Sequence, residues 1–318
     1  AMAPSASAPA EGGPKDAPEG PDDETEVVEE QRVYGCDVIQ EASVLLELPQ
    51  VCAATAQALF HRFYARRSFM RHDVRHVAMG VLFLAAKVEE SPRRIRDVLN
   101  VFNALFQLRD GEKELQPIDL HSSKYANMKT LVLNTERDVL AELGFILYTE
   151  HPHKFILNYV KLLCTDPALE KPLAQLAWNV INDSARTTVC LRFSPEAICC
   201  AAISMAARSL GLPLPTKPPW WEIFDVSKDD VDQVCGVMVD LYGRTKAKYV
   251  HLKGQRPTAA ALRAAPSSGP LVSGDEAAQP RTTGDMTPDQ RAAVGEVAPG
   301  LDTAAPPPRS GPVGAANG

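Results

Sequence analysis

The sequence predicts an all-α protein built from two tandem five-helix bundles. Residues 73–90 form a helical pattern that is apolar on every side, and a second stretch of the same character follows 121 residues later. The surrounding sequence shows helical spacing of apolar residues and no credible strand alternation. A helix that is apolar all round is buried, and this one is too short to span a membrane. Each copy is therefore expected to lie at the centre of a small bundle.

The first of these central helices has a clear start and a clear end. Asp73 is a good N-cap, because its carboxylate can accept hydrogen bonds from the first free backbone N–H groups. Gly80 lies inside the helix and would let a neighbouring helix approach closely. Lys87 follows two alanines, and the acidic residues after it indicate that the helix end reaches the surface. The apolar residues at helical spacing are Val77, Val81, Leu84 and Val88.

Four more helices are expected around the first central helix. A helical pattern starts near Cys36 and is broken by Pro49, which opens a second helix that runs to about residue 66. A fourth helix follows Pro92, and residues 109–122 are a polar connection. A fifth helix spans about 124–143, where Gly144 is a plausible C-terminal stop.

The second bundle is predicted from the internal repeat. The offset of 121 places residues 79–88 on 200–209, and the cap Asp73 on Ser194. Like the first copy, the second ends in two alanines followed by a basic residue, Arg208. Other helical patterns lie at about 152–164, 171–185 and 228–243, the last with a cap at Ser227. We therefore expect bundles at 31–148 and 149–253.

The tails differ from this core in composition. Residues 1–30 carry nine acidic groups and one lysine, and residues 254–318 are rich in Ala, Pro and Gly, so both are expected to be disordered. The net charge of −7 lies mostly in the N-terminal tail, because residues 31–254 carry 27 basic and 25 acidic groups. A near-neutral core argues against nonspecific nucleic-acid binding. No signal peptide or membrane span is expected.

The chemistry-bearing residues do not assemble into a catalytic motif. The seven cysteines lie mostly in apolar runs and form no CxxC pair, which predicts reduced core thiols of an intracellular protein. His151 and His153 have no Cys or carboxylate pattern beside them, so capping and packing are favoured over metal binding. No nucleophile motif, phosphate loop or metal cluster is found, so no enzyme, no cofactor and no metal are predicted.

Five stretches in order resemble the cyclin family, and within it the transcription-associated L-type cyclins. They are FLAAKVEESPRRIRDVLNVF (83–102), ERDVLAELGF (136–145), HPHKFILNYV (151–160), NDSARTTVCLRFSPEAICCAAISMAAR (182–208) and LPLPTKPPWWEIF (212–224). The resemblance covers about residues 31–253 and implies two cyclin boxes. Two family features are missing from this sequence: an Arg/Ser-rich tail, and the Met-Arg-x-Ile-Leu patch in the first helix.

The resemblance implies a nuclear regulatory subunit that binds and activates a cyclin-dependent kinase. The implied kinase is of the PITSLRE type and acts in RNA polymerase II transcription and pre-mRNA splicing, with splicing or transcription factors as further partners. Matching positions assign the family's kinase-binding lysine to Lys87 and its glutamate to Glu136. The apolar positions beside them are Leu84, Val88, Leu140, Phe145 and Leu147.

Other interpretations of these residues remain open. Lys87 and Glu136 could be an ordinary surface pair worth at most ~1 kcal/mol. Both are expected at helix surfaces, so that removing either should change stability by less than ~1 kcal/mol. The basic residues Arg93, Arg94 and Arg96 are either a solvated turn or contacts to the kinase or its phosphorylated activation loop.

The remaining singled-out residues favour structural roles. Asp183, Ser184 and Arg186 are expected at a helix end or in contact with the first bundle. One of Trp220 and Trp221 should be in the core and the other partly exposed.

Two rival functions stay in view. One is a cyclin of the K or T type that acts in transcription elongation. The other is a promoter-binding general transcription factor with cyclin-like boxes, which should show an N-terminal zinc ribbon and a basic core. Residues 1–30 contain no cysteine and the core is near neutral, so no direct binding to nucleic acid or membrane is expected.

Overall fold

A computed structural model describes residues 21–164 and 166–252, and within these ranges the chain is helical, with no β-strand. The first bundle contains α1 (Pro21–Leu45), α2 (Gln50–Tyr64), α3 (Val74–Val88), α4 (Ile95–Arg109) and α5 (Ser123–Glu142). The second contains α6 (His153–Leu163), α7 (Pro167–Ser184), α8 (Val189–Arg192), α9 (Pro195–Ser209), a 3₁₀ turn (Trp220–Phe224) and α10 (Lys228–Gly243). None of the described helices combines the length and apolar character that a bilayer crossing needs.

The predicted central helices are confirmed as α3 and α9. Each is 15 residues long, and their start and end positions differ by the same 121 residues. Asp73 accepts hydrogen bonds from the N–H groups of Arg75 and His76, and Ser194 accepts one from Ala197. Helix α3 packs against α1, α2, α4 and α5, whereas α9 packs against α6, α7, α8 and α10. The repeat in the sequence is therefore a repeat of the fold.

A close approach of two helices in the first bundle involves Gly80 of α3. A Cβ atom at this position would lie 2.7 Å from Cγ2 and 2.9 Å from Cβ of Thr135, and 3.3 Å from the backbone nitrogen of Glu136. These distances leave no room for a side chain, so glycine allows α5 to lie directly on α3. The expected close approach of a neighbouring helix is thus found, and it occurs at Thr135, the residue before Glu136.

Helix α1 begins earlier than the sequence suggests. Residues 21–30 were expected to belong to a disordered acidic tail, but they form the first turns of α1. Val27 and Val28 pack against the core, and Glu30 accepts a hydrogen bond of 3.0 Å from the backbone N–H of Lys248. The acidic composition did not indicate a helix here, because a contact that stabilises it, with Lys248, comes from more than 200 residues away in the sequence. The tail predictions for residues 1–20 and 254–318 lie outside the described residues.

The segment after α10 crosses back to the first bundle. The Tyr249 hydroxyl donates a hydrogen bond of 2.5 Å to Asp73, the residue that caps α3. The Arg75 guanidinium lies 3.9 Å from the centre of the Tyr249 ring, and Leu252 is buried. This segment, residues 247–252, ties the end of the second bundle to the start of the central helix of the first.

A buried histidine forms part of the junction between the bundles. His61 of α2 is fully buried, and its Nε2 lies 2.9 Å from the carbonyl oxygen of Ala185, just after α7. Its Nδ1 lies 3.5 Å from a guanidinium nitrogen of Arg32. Because the carbonyl can only accept, Nε2 carries the proton and the ring is neutral. Burial, and secondarily the charge of Arg32, lowers the pKa of His61 to about 4.

Gly80→Ala should destabilise the protein, because the added methyl group must push Thr135 and α5 away from α3. We expect a loss of about 1–3 kcal/mol in the free energy of unfolding, measured by chemical denaturation. Gly236 of α10 is the matched control, since a Cβ there meets nothing within 4 Å. Gly236→Ala should be neutral or stabilise by up to about 1 kcal/mol through helix propensity. Thr135→Ser, which removes Cγ2, should recover part of the loss; similar losses at both glycines would contradict this account.

The free energy of unfolding should decrease as the pH is lowered, because His61 is buried in its neutral form. The pKa of this ring is lower in the folded chain than its ordinary value of 6.5, so its contribution is complete above pH 6.5 and is lost towards pH 4. The loss by pH 5 should be about 2 kcal/mol. In His61→Gln the amide can still donate to Ala185 and accept from Arg32, but it binds no proton. Denaturation at pH 7 and pH 5 should show the smaller decrease in the variant, and parallel pH dependence would argue against this role of His61.

Candidate functional site

Lys87 and Glu136 form an ion pair where the end of α3 meets α5. The ammonium nitrogen of Lys87 lies 2.6 Å from Oε1 of Glu136 and 4.0 Å from the centre of the Phe83 ring. Phe83 is buried, so the ring supports the lysine from the core side. The structure therefore brings together the two charged residues that the sequence singled out.

The two partners differ in exposure, which corrects the expectation that both emerge at the surface. The Lys87 side chain is 43% exposed, but that of Glu136 is 11% exposed and has Lys87 as its one hydrogen-bond partner among the described residues. The close approach of α5 at Gly80 places the backbone of Glu136 against α3. The pair therefore holds one nearly buried carboxylate, and it is not an ordinary surface pair.

An exposed apolar segment follows α5 directly, and we call residues 145–148 the apolar ledge. Gly144 and Phe145 both have left-handed backbone conformations, with φ of +59° and +61°, which turn the chain sharply out of the helix. Phe145 is 72% exposed, Ile146 66% and Tyr148 79%. Three large apolar side chains in four residues form an exposed patch of the kind that marks an interaction surface.

An arginine side chain of α2 donates hydrogen bonds to the backbone of the apolar ledge. Arg62 donates hydrogen bonds to the carbonyl oxygens of Ile146 at 2.6 Å and Tyr148 at 3.3 Å. One turn later Arg66 donates to the carbonyl of Glu142, and Arg67 pairs with the Glu142 side chain at 2.6 Å. Sequence reasoning missed these arginines. Their spacing from the last turn of α2 into the segment that follows it was a visible signal, but it did not show which segment they would hold.

The other predicted apolar positions lie at different depths. Leu84 is buried in the core, so it supports the site from below and is not an accessible contact of the chain alone. Val88, Leu140 and Leu147 are half-buried and pack against the core. Together with the ledge they extend the apolar surface around the ion pair.

The basic turn after α3 divides into two kinds of residue. Arg93 donates to the carbonyl oxygens of Leu46 at 2.9 Å and Glu47 at 2.7 Å, so it satisfies the end of α1. Arg94 and Arg96 are exposed, and Arg96 lies 3.3 Å from the carboxylate of Asp97. A role in contacting an anionic partner thus remains a prediction for these two residues, whereas Arg93 already has an internal task.

The two histidines after the ledge make structural hydrogen bonds. His151 lies 2.8 Å from the hydroxyl of Thr55, which in turn donates to Glu89 at 2.7 Å. His153 lies 2.8 Å from the side-chain oxygen of Asn182. No group of three metal-ligating side chains occurs in the described part of the chain.

The remaining candidates have the structural roles that the sequence predicted. Arg186 pairs with Asp37 of α1 at 2.7 Å, and Ser184 is the last residue of α7. Trp220 is buried and Trp221 is half-buried. These residues connect the bundles or fill the second core.

Comparisons with known proteins find similarity over most of the chain. The family described as "Cyclin, N-terminal domain" matches residues 14–148. A rice (Oryza sativa subsp. japonica) protein named Cyclin-L1-1 is 46% identical over 235 residues, which are 74% of this chain and 53% of that protein. Human Cyclin-L2 is 45% identical over 232 residues, or 73% of this chain and 44% of that protein. The chain thus spans about half the length of the curated relatives it matches.

A solved structure shares the fold at low sequence identity. A chain of the yeast RNA Pol II CTD kinase CTDK-1 complex superposes with a TM-score of 0.56 and 18% identity. The match covers 69% of this chain and 67% of that chain. At this identity the likeness concerns the fold alone.

The unequal burial of the ion pair predicts unequal effects of its two partners on stability. Lys87→Met leaves the nearly buried Glu136 carboxylate without a partner and should cost about 1–3 kcal/mol. Glu136→Gln keeps an acceptor for Lys87, which can also reach water, and should cost less than about 1 kcal/mol. The double variant should be more stable than Lys87→Met alone. Chemical denaturation of the three variants tests this, and equal losses in the two single variants would contradict it.

Proposed function

The chain belongs to the cyclin family, and we propose that it is a regulatory subunit that binds and activates a cyclin-dependent protein kinase. Its similarity to L-type cyclins supports a kinase of the PITSLRE type as the partner. The same similarity supports a nuclear role in RNA polymerase II transcription and pre-mRNA splicing. The protein itself carries out no bond-making step in this proposal.

The observation that carries the proposal is the apolar ledge beside the Lys87–Glu136 pair. A partner helix that lay on this surface would meet exposed Phe145, Ile146 and Tyr148 together with a donor and an acceptor. A few well-buried side chains, often aromatic ones, provide most of the binding energy in protein interfaces. The charged pair adds directional contacts that fix the position of the bound helix.

The pair is suited to gripping a main chain. The Lys87 ammonium can donate to backbone carbonyl oxygens of the kinase, and Glu136 can accept from backbone N–H groups. The two groups already pair with each other, and the half-exposed ammonium keeps further donor capacity for a partner. Kinases are activated when their αC helix is positioned so that an internal Lys–Glu pair forms and the activation loop opens. We propose that the ledge and the ion pair hold that helix in this position.

Preorganisation strengthens the proposal. Because Arg62 holds the ledge carbonyls and Gly80 places Glu136 against α3, the surface is formed before a partner arrives. A preformed site avoids the entropic cost of ordering a loop on binding. In this proposal the kinase therefore meets a preformed surface, made of the apolar ledge and the Lys87–Glu136 pair.

Phe145→Ala should weaken kinase binding at least about tenfold, as expected for a large aromatic anchor. Val88→Asp should weaken it comparably by placing a charge in the apolar surface. The assay is titration of purified chain against a PITSLRE-type kinase, with phosphorylation of a peptide substrate as a second readout. Leu162→Ala is the matched control, because Leu162 is 70% exposed but lies on α6. Normal kinase binding by well-folded Phe145→Ala and Val88→Asp chains would sink the proposed site.

A further inference from the structure

The second central helix ends at a groove, which we call the Trp groove. It has a volume of about 190 Å³ and lies between the end of α9, the start of α10 and the segment that leads to the 3₁₀ turn. The rings of Trp220 and Trp221 lie 5.9 Å apart at an angle of 77° and form part of its wall. Its other apolar lining comes from Leu212, Leu214 and Val231.

Arg208 lines this groove at the position that repeats Lys87. In the first bundle the lysine is paired with Glu136 of α5. Arg208 is exposed and makes no hydrogen bond or ion pair with any residue in the described ranges. The acidic residue that lines the same groove, Asp232, is already paired with Lys228. The end of the second central helix therefore offers an apolar groove and a guanidinium that has no partner in the described part of the chain.

We propose that the Trp groove is a docking site for a partner protein that presents one large apolar side chain next to an Asp or Glu. The apolar side chain would lie against Trp221, and the carboxylate would pair with Arg208. A planar guanidinium binds a carboxylate through two parallel hydrogen bonds, which gives the contact both strength and orientation.

The size of the groove favours a side chain over a small molecule. Binding sites for small molecules usually enclose about 300 Å³ or more, which exceeds the volume here. Tryptophan and arginine are also the residue types that most often dominate binding energy at protein interfaces. The half-buried Trp221 has no hydrogen-bond partner for its indole N–H within the described chain, so this group can also donate to a backbone carbonyl of a bound segment.

The inference does not depend on kinase binding. The Trp groove belongs to the second bundle, and the residues of the proposed kinase site belong to the first bundle and to the segment that follows α5. Loss of one site should therefore leave the other intact.

Selection of displayed random peptides against the full chain, followed by fluorescence polarisation of the enriched peptides, tests the proposal. Enriched peptides should share a Phe, Trp or Leu within two positions of an Asp or Glu. Trp221→Ala and Arg208→Glu should each weaken their binding at least about tenfold. Arg244→Glu is the matched control, because Arg244 is exposed and also lacks an ion-pair partner in the described chain. Its affinity should stay within about twofold of the unmodified chain.

Charge reversal makes the test specific. A peptide in which Lys replaces the acidic residue should bind Arg208→Glu more tightly than it binds the unmodified chain. Lys87→Met should bind the original peptides normally, whereas a loss there would place them on the first bundle and overturn the proposal. Enriched peptides that lack the shared apolar and acidic residues would also overturn the proposal. So would peptides that bind Arg208→Glu as tightly as they bind the unmodified chain. If Trp221→Ala lowers the melting temperature, the result with Arg208→Glu is the one that tests the proposal.

Discussion

The contact of α3 with α5 at Gly80 is the constraint on which the candidate site depends. Without a Cβ at this position, Thr135 and the backbone of Glu136 can lie against the central helix. Helical side chains tilt towards the N-terminus, so the Lys87 stem runs back along α3 towards this crossing. The nearly buried carboxylate and the half-exposed ammonium therefore meet at 2.6 Å. A helix pair held farther apart would leave Glu136 in solvent and the corner without its acceptor.

Helix α2 connects the candidate site, made of the ion pair and the apolar ledge, to the second bundle. Through Thr55 it contacts His151, just before α6, and through His61 it contacts Ala185, just after α7. Through Arg62 it contacts the apolar ledge. The same helix thus sets the bundle junction and the position of Phe145 and its neighbours. Any displacement of α2 would change both, which explains why the junction contains a fully buried, hydrogen-bonded polar side chain.

The two bundles share a frame but differ at equivalent corners. An apolar helix of 15 residues requires the same burial in each copy, so the helices that surround it repeat. Its final turn reaches the surface, where burial imposes no such requirement. There the first copy has a paired lysine beside an exposed ledge. The second has an arginine beside two tryptophans, and this arginine has no ion-pair partner among the residues that the structure describes. The repeat conserves packing and leaves its exposed ends free to serve different contacts.

The sequence by itself determined the features that depend on neighbouring residues. Helical periodicity, the caps Asp73, Ser194 and Ser227, the stop at Gly144 and the 121-residue repeat all follow from local spacing. The tertiary structure alone decided the burial of Glu136, the use of Arg93 to satisfy the end of α1, and the early start of that helix. These depend on groups that are distant along the chain, such as Glu30 and Lys248, and no local pattern records which distant group will arrive.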